Sequence, residues 1–134
     1  MVEKITNTKI EIITLYRENY LLHLYVREMA NLIKKSHVTL LPHLQDLEDN
    51  NILTSKIIGK NKVYSLNFDN IIVKNYLLLS EAAAAIFFLR RVFLIKKITR
   101  DIFNLRLSGT IILFGSYAKE SFHEDSDIDL FYIG

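Results

Sequence analysis

The sequence predicts an α+β fold, and three observations support it. Apolar residues recur at helical spacing through residues 8–20, 25–35 and 38–49. Two runs rich in β-branched and aromatic residues follow and are separated by a turn signal that begins at Gly59. After a long helix-compatible stretch comes a third such run, residues 110–114. The order predicts three helices, a hairpin, connecting helices and a C-terminal unit with two strands.

Composition places the chain among folded intracellular proteins. Of its 134 residues 50% are apolar and 24% charged, so it can bury a core. It has no cysteine, which excludes disulfides and thiolate metal sites, and residues 1–4 lack the apolar core of a signal peptide. We expect a cytoplasmic protein. The net charge of +2 permits nucleic-acid binding but does not by itself argue for it.

No membrane span is predicted. The most apolar stretch, residues 77–95, contains Glu81, Arg90 and Arg91. The uncharged run inside it, residues 82–89, is too short to cross a bilayer.

Each N-terminal helix has an apolar side. Pro42 lacks a backbone donor and is tolerated near a first turn, so the third helix should begin close to Val38 or Thr39. The residues predicted to face the core are Ile10, Ile13, Tyr16 and Tyr20 in the first helix, Val26, Met29, Ala30 and Ile33 in the second, and Leu40, Leu41, Leu44 and Leu47 in the third.

The hairpin completes a recognisable order. Residues 52–58 and 62–67 form its strands around Gly59, Lys60 and Asn61. Three helices followed by this hairpin resemble the winged-helix domains of small prokaryotic transcription regulators, in which the hairpin is the wing. The positions that carry the resemblance are residues 26–30, Thr39, Leu44, Leu47, residues 52–53 and residues 63–66.

The resemblance implies binding to double-stranded DNA, with the third helix in the major groove and the wing along the phosphate backbone. That helix contains no lysine or arginine, and Asp46, Glu48 and Asp49 would repel phosphate. The alternative is a winged helix used for protein contact. The candidate base-reading residues are Thr39, His43 and Gln45, and the candidate phosphate-binding residues are Lys34, Lys35, Lys56, Lys60 and Lys62.

Residues 70–104 should form two helices, with a break at Ser80 where the hydroxyl can cap a helix that begins at Glu81. The second helix has two apolar stripes, so one packing partner would not cover it. A homodimer face and burial within the chain are both open. The stripes are Phe88, Val92, Ile95, Ile98 and Ile102, and Ile86, Leu89 and Phe93.

The C-terminal residues carry the chemistry. Residues 110–114 are predicted to be a buried strand that ends at Gly115 and Ser116. Residues 126–133 are predicted to be a second buried strand, on which Asp127 and Asp129 share a face because side chains alternate. Two neighbouring carboxylates on an apolar strand need neutralisation, which predicts a divalent cation that prefers oxygen, such as Mg²⁺.

Residues 114–119 followed by residues 126–130 resemble the nucleotidyltransferase superfamily related to DNA polymerase β, particularly its minimal prokaryotic members. The resemblance implies that Gly115 and Ser116 hold a nucleoside triphosphate and that Asp127 and Asp129 bind two metal ions. The chain departs from the family pattern at residues 120–121, and the family's third carboxylate lies on a later strand. We therefore expect the front half of the domain here, without transferase activity in this chain alone.

Three functions follow. The first is a DNA-binding protein whose full length is a metal-dependent nucleotidyltransferase; resemblance to minimal nucleotidyltransferase antitoxins implies transfer of AMP to a toxin partner. The second is a transcription regulator whose C-terminal unit senses nucleotide or binds a partner without catalysis. The third is a protein-interaction module. The predicted divisions are a winged helix at 1–69, connecting helices at 70–104 and a partial nucleotidyltransferase domain at 105–134.

Overall fold

The computed structural model describes residues 4–134 as two compact units, the first ending at Arg91 and the second spanning Val92–Gly134. Helices and strands are both present, so the predicted α+β class is confirmed. The elements of the first unit are α1 (Asn7–Thr14), β1 (Leu24–Tyr25), α2 (Val26–Ile33), α3 (His37–Asp49), β2 (Leu53–Ile58), β3 (Asn61–Leu66) and α4 (Ile72–Arg91). Those of the second are α5 (Phe93–Asn104), β4 (Thr110–Phe114), α6 (Gly115–Ala118) and β5 (Asp129–Ile133).

The sheet of the first unit is antiparallel, in the order β1-β3-β2. Ile58 pairs with Asn61, so β2 and β3 form a wing around a two-residue turn, in which Gly59 adopts a φ of 62° that favours glycine. Strand β1 was not predicted, because its two residues pair only with Val63 and Tyr64, far along the chain.

Helix ends explain small shifts from the predicted bounds. Ser36 caps α3 by accepting the backbone N–H of Thr39 on its side chain at 3.1 Å, so α3 begins at His37 and Pro42 lies within the helix. Helix α2 ends where Lys34 turns left-handed, with φ of 59°.

The four helices of the first unit and its sheet share one hydrophobic core. Side chains with no exposed surface include Ile12, Met29 and Leu44. Tyr16 is also fully buried, and its hydroxyl donates to the Tyr64 carbonyl at 3.0 Å. Burial, reinforced by the nearby Glu28 and Tyr64, raises the pKa of the Tyr16 phenol.

Two predicted core positions are wrong. Tyr20 is 45% exposed because α1 ends at Thr14, so helical spacing does not extend to it. Leu41 is 42% exposed because Leu40, Leu44 and Leu47 already form the buried side of α3.

The predicted break at Ser80 is also wrong. Its buried hydroxyl donates to the carbonyl of Leu77 at 2.8 Å instead of capping a helix, so α4 continues through Ser80 to Arg91. The chain leaves helical geometry at Val92, and α4 ends on two arginines that favour a helix C-terminus.

Helix α4 is long and apolar enough to cross a bilayer, by length and composition alone. Its first half packs within the unit, where Val73, Tyr76, Leu77 and Ser80 are buried. Core helices of globular domains pass the same test of length and composition.

The second unit contains an antiparallel ribbon of β4 and β5. Both strands were predicted to be buried, and both are half-buried or exposed: Phe114 is 48% exposed and Phe131 is 56% exposed. Within the described residues, a two-stranded ribbon has too few covering elements to bury either strand. An apolar groove of about 520 Å³ separates α5 from the ribbon.

Candidate functional site

The strand register brings Gly115 against Asp129. Phe114, the last residue of β4, pairs with Asp129, the first residue of β5, so Gly115 follows directly beside the carboxylate. Gly115 has a φ of 73°, and a Cβ at this position would collide with Oδ2 of Asp129. Glycine is required here for both the backbone conformation and the close approach of the carboxylate.

The other two predicted residues are close to this contact along the chain. Ser116 is half-buried in α6, and its carbonyl accepts the backbone N–H of Ser121 at 2.9 Å. Asp127 is exposed and lies before β5, which begins at Asp129 and not at residue 126 as predicted. Asp129 itself is half-buried.

A turn sets the path into β5. The backbone N–H of His123 donates to Oγ of Ser126 at 2.7 Å, and the Ser126 N–H returns to the His123 carbonyl at 3.0 Å. This closed turn comes directly before Asp127.

Asp127 and Asp129 are the carboxylates that the sequence predicts to hold Mg²⁺. Mg²⁺ prefers oxygen ligands and is commonly held by one or two carboxylates plus substrate phosphates and water. Asp127 and Asp129 supply such carboxylates, and across residues 4–134 no group of three or more acidic or histidine side chains is placed to hold a metal. The position that a side chain at Gly115 would take is occupied by the Asp129 carboxylate, which therefore lies directly against the backbone at the end of β4.

The predicted base-reading residues differ in how they are presented on α3. Thr39 and Gln45 are exposed, and Nε2 of Gln45 donates to Asp49 at 2.7 Å. His43 is half-buried, and its Nδ1 lies 3.3 Å from the Thr6 hydroxyl beside the start of α1. The structure therefore leaves Thr39 and Gln45 facing solvent and places His43 on the flank of α3 covered by α1.

The predicted phosphate-binding lysines divide in the same way. Lys34, Lys56 and Lys60 are exposed. Lys35 contacts Glu11 at 2.5 Å, and its ammonium also donates to the Thr8 hydroxyl at 2.9 Å. Lys62 contacts Glu48 at 2.5 Å, which links the wing to α3.

The Lys62–Glu48 pair shifts both ionisations. The Glu48 hydrogen bond raises the pKa of Lys62 against the effect of burial. Burial of Glu48 opposes its ionisation, but hydrogen bonds from Lys62 and Ser55 outweigh it and lower its pKa. Asp46, on the same helix, is paired with Lys9 at 2.5 Å. Two of the three carboxylates expected to repel phosphate are thus neutralised within the protein.

Sequence patterns did not single out two further side chains near the wing. Arg27 and His37 are exposed and line a cavity together with Lys60. Their places in the first turns of α2 and α3, next to the predicted recognition helix, are the signal that could have identified them.

Comparison with known proteins assigns the two parts separately. Residues 94–134 match the family model described as a nucleotidyltransferase domain, so the match begins within α5. No curated protein sequence matches the chain.

Solved structures resemble the chain in fold. MepR, a transcription regulator of the Staphylococcus aureus multidrug efflux pump MepA, is 12% identical with a TM-score of 0.51, over 76% of this chain and 78% of MepR. The adhesin competence repressor AdcR from Streptococcus pyogenes is 15% identical with a TM-score of 0.50, over 80% of this chain and 85% of AdcR. YusO from Bacillus subtilis is 14% identical with a TM-score of 0.50, over 76% and 73%.

These likenesses at low identity concern the fold, which is the winged helix. The chain therefore has a winged-helix fold, and its residues 94–134 match the nucleotidyltransferase family model.

Proposed function

We propose that the C-terminal unit binds a nucleoside triphosphate with Mg²⁺ at Gly115, Ser116, Asp127 and Asp129, and that the full-length protein transfers a nucleotidyl group. The observation that carries this proposal is the β4–β5 register, which puts the glycine at the end of one strand against the carboxylate at the start of the other. Backbone beside Gly115 and the Ser116 hydroxyl can donate to phosphate oxygens. The carboxylates hold the cation that neutralises them.

Binding of a fluorescent ATP analogue tests this site. With Mg²⁺ present, Asp129→Asn should weaken binding at least about tenfold, because it removes one of two charges that hold the cation. Asp125→Asn is the matched control, since Asp125 is an exposed aspartate in the loop before β5 and undergoes the same charge change. Equal affinities for the two variants, or binding that does not require a divalent cation, would contradict the proposal.

Transfer is tested separately from binding. In nucleotidyl transfer an acceptor hydroxyl forms a bond to the α-phosphorus of ATP, and pyrophosphate leaves. The resemblance to nucleotidyltransferase antitoxins supports a toxin protein as acceptor. Label from α-labelled ATP appearing on a partner protein, and lost in Asp129→Asn, supports transfer; Mg²⁺-dependent binding without labelling supports the second candidate, a regulator that senses nucleotide.

We also propose that the first unit binds duplex DNA and regulates transcription from the cytoplasm. The proposal is supported by the exposure of Thr39 and Gln45 on α3 and by the exposed lysines Lys34, Lys56 and Lys60. Sequence specificity should be modest, because only two uncharged side chains, Thr39 and Gln45, are exposed to contact base edges and few unpaired cations are available to contact phosphates. Fluorescence anisotropy with duplex DNA should show affinity that falls steeply with salt; absence of binding at about 50 mM salt would favour the protein-contact alternative.

A homodimer is part of this proposal, since two-fold regulators match paired DNA half-sites. Helix α4 exposes apolar side chains beyond its packed half, including Ile86 at 53% and Phe87 at 62%. Light scattering should give twice the mass of the chain, and Phe87→Asp should return it to the monomer. A monomeric wild type at tens of micromolar would remove the dimer.

A further inference from the structure

A cavity of about 570 Å³ lies within the first unit, between the starts of α2 and α3 and the turn of the wing. Arg27 and Asn31 line it from α2, His37 from α3, and Lys60 and Lys62 from the wing. The cavity thus borders the proposed recognition helix and the wing at once. Its volume exceeds that of a single phosphate group.

The lining combines apolar side chains, such as Val26 and Leu41, with charged side chains that are mostly cationic. Arg27 and Lys60 are exposed, and within residues 4–134 neither has an ion-pair partner. Lys62 is balanced by Glu48, which lies outside the lining. Glu28 is the carboxylate of the lining, and its Oε2 accepts the backbone N–H of Tyr25 at 2.8 Å. The remaining excess of positive charge favours an anion.

The opposite flank of α3 is closed. His43 contacts Thr6, and Asp46 pairs with the buried Lys9, so α1 covers this side and its charges are matched. A polyanion lying along α3 therefore meets unmatched cations on the wing side.

We propose that this cavity seats a phosphate group of the DNA backbone, held by Arg27, His37 and Lys60. The proposal rests on the DNA binding proposed above and adds two contacts to it. The forked Arg27 guanidinium provides parallel donors to phosphate oxygens, and Lys60 adds a point charge from the wing. Phosphate contacts set the position of a protein on the duplex. A phosphate bound in this cavity would therefore hold the DNA backbone on the wing side of α3.

The test measures affinity for a duplex by fluorescence anisotropy between about 50 and 200 mM salt. Each phosphate contact that is lost lowers the salt slope of the binding constant by about one. Arg27→Ala should therefore lower the slope by about one and weaken binding several-fold at low salt. Lys74→Ala is the matched control, because Lys74 is an exposed cation on α4 outside the cavity, and it should leave the slope unchanged.

A second variant tests the opposite direction. Glu28→Gln removes the carboxylate of the lining while its amide oxygen can still accept the Tyr25 N–H, so DNA binding should tighten several-fold. Circular dichroism checks that each variant is folded. If the wild type binds DNA but Arg27→Ala behaves like Lys74→Ala, the phosphate seat is wrong and DNA binding stands. If the wild type binds no DNA at either salt concentration, both proposals fail.

Discussion

The two units differ in where their apolar side chains lie. In the first unit, Ile12, Met29 and Leu44 are fully buried in one core shared by the helices and the sheet. In the second unit, Leu130 is 41% exposed and Phe131 is 56% exposed on a two-stranded ribbon. Burial of apolar surface is the main source of stability, so the first unit holds its shape by its own core and the second depends far less on burial.

The two units also differ in whether their carboxylates have ion-pair partners. The first unit pairs Asp46 with Lys9 and Glu48 with Lys62, so these carboxylates link one element to another. In the second unit, Asp127 and Asp129 have no ion-pair partner among the described residues. Carboxylates with internal partners serve the fold, whereas the unpaired aspartates are available to a cation.

The largest effect should come from the core of the first unit. Leu44→Ala should lower the free energy of unfolding by about 3 kcal/mol, because it leaves a cavity among fully buried side chains. The same truncation at the half-exposed Leu130 should cost less than about 1 kcal/mol. Hydrogen exchange followed by mass spectrometry can assign each loss to its unit. Similar losses for the two variants would mean that the units do not differ in burial.

A pair of glycines sharpens the comparison at the site. Gly115 and Gly59 both have positive φ, so alanine at either should cost about 1–2 kcal/mol of backbone strain. At Gly59 a Cβ would meet nothing within 4 Å, whereas at Gly115 it would collide with the Asp129 carboxylate. Only Gly115→Ala should also abolish binding of ATP with Mg²⁺, measured with the fluorescent analogue. Retained binding in Gly115→Ala would argue against the contact as part of the site.

The smallest effect concerns the link between the wing and α3. Glu48→Gln should cost about 0.5–1 kcal/mol at neutral pH, because both partners remain partly solvated. The lowered pKa of Glu48 means that its contribution is present at neutral pH and is lost as the pH falls through that pKa. The raised pKa of Lys62 means that the contribution of the lysine is lost only at strongly alkaline pH.

Urea unfolding at pH 7 and pH 3 measures this prediction. The difference between wild type and Glu48→Gln should be present at pH 7 and shrink at pH 3. A larger difference in the free energy of unfolding at pH 3 than at pH 7 would contradict a stabilising role for ionised Glu48.

The sequence was most informative where structure is local. The helices α2 and α3 and the wing follow from apolar spacing and from the turn at Gly59, which involve neighbours along the chain. The short β1 strand could not be predicted, because Leu24 and Tyr25 gain their partners from a distant strand. The break at Val92 was missed because Ser80 is an ambiguous residue, able to cap a helix or to donate back within one.

The site shows the same division. Residue types and spacing identified Gly115 and Asp129, and the register places them together. Spacing did not reveal that β5 starts as late as Asp129 or that both strands are exposed, because burial depends on what covers a ribbon. The ion-pair partners of charged residues could not be predicted from the sequence either. Lys35 and Lys62 look like free cations there, but each is paired with a glutamate in the fold.

The buried hydrogen bond from Tyr16 to the Tyr64 carbonyl has a consequence in alkaline solution. Because its pKa is raised, the Tyr16 phenol stays neutral in the folded protein, and stability falls as the pH rises above the ordinary tyrosine value of about 10. Tyr16 will then ionise together with unfolding. Opening of the first unit should therefore add a step of tyrosinate absorbance from Tyr16 to the ultraviolet signal of the chain's other tyrosines, without any label.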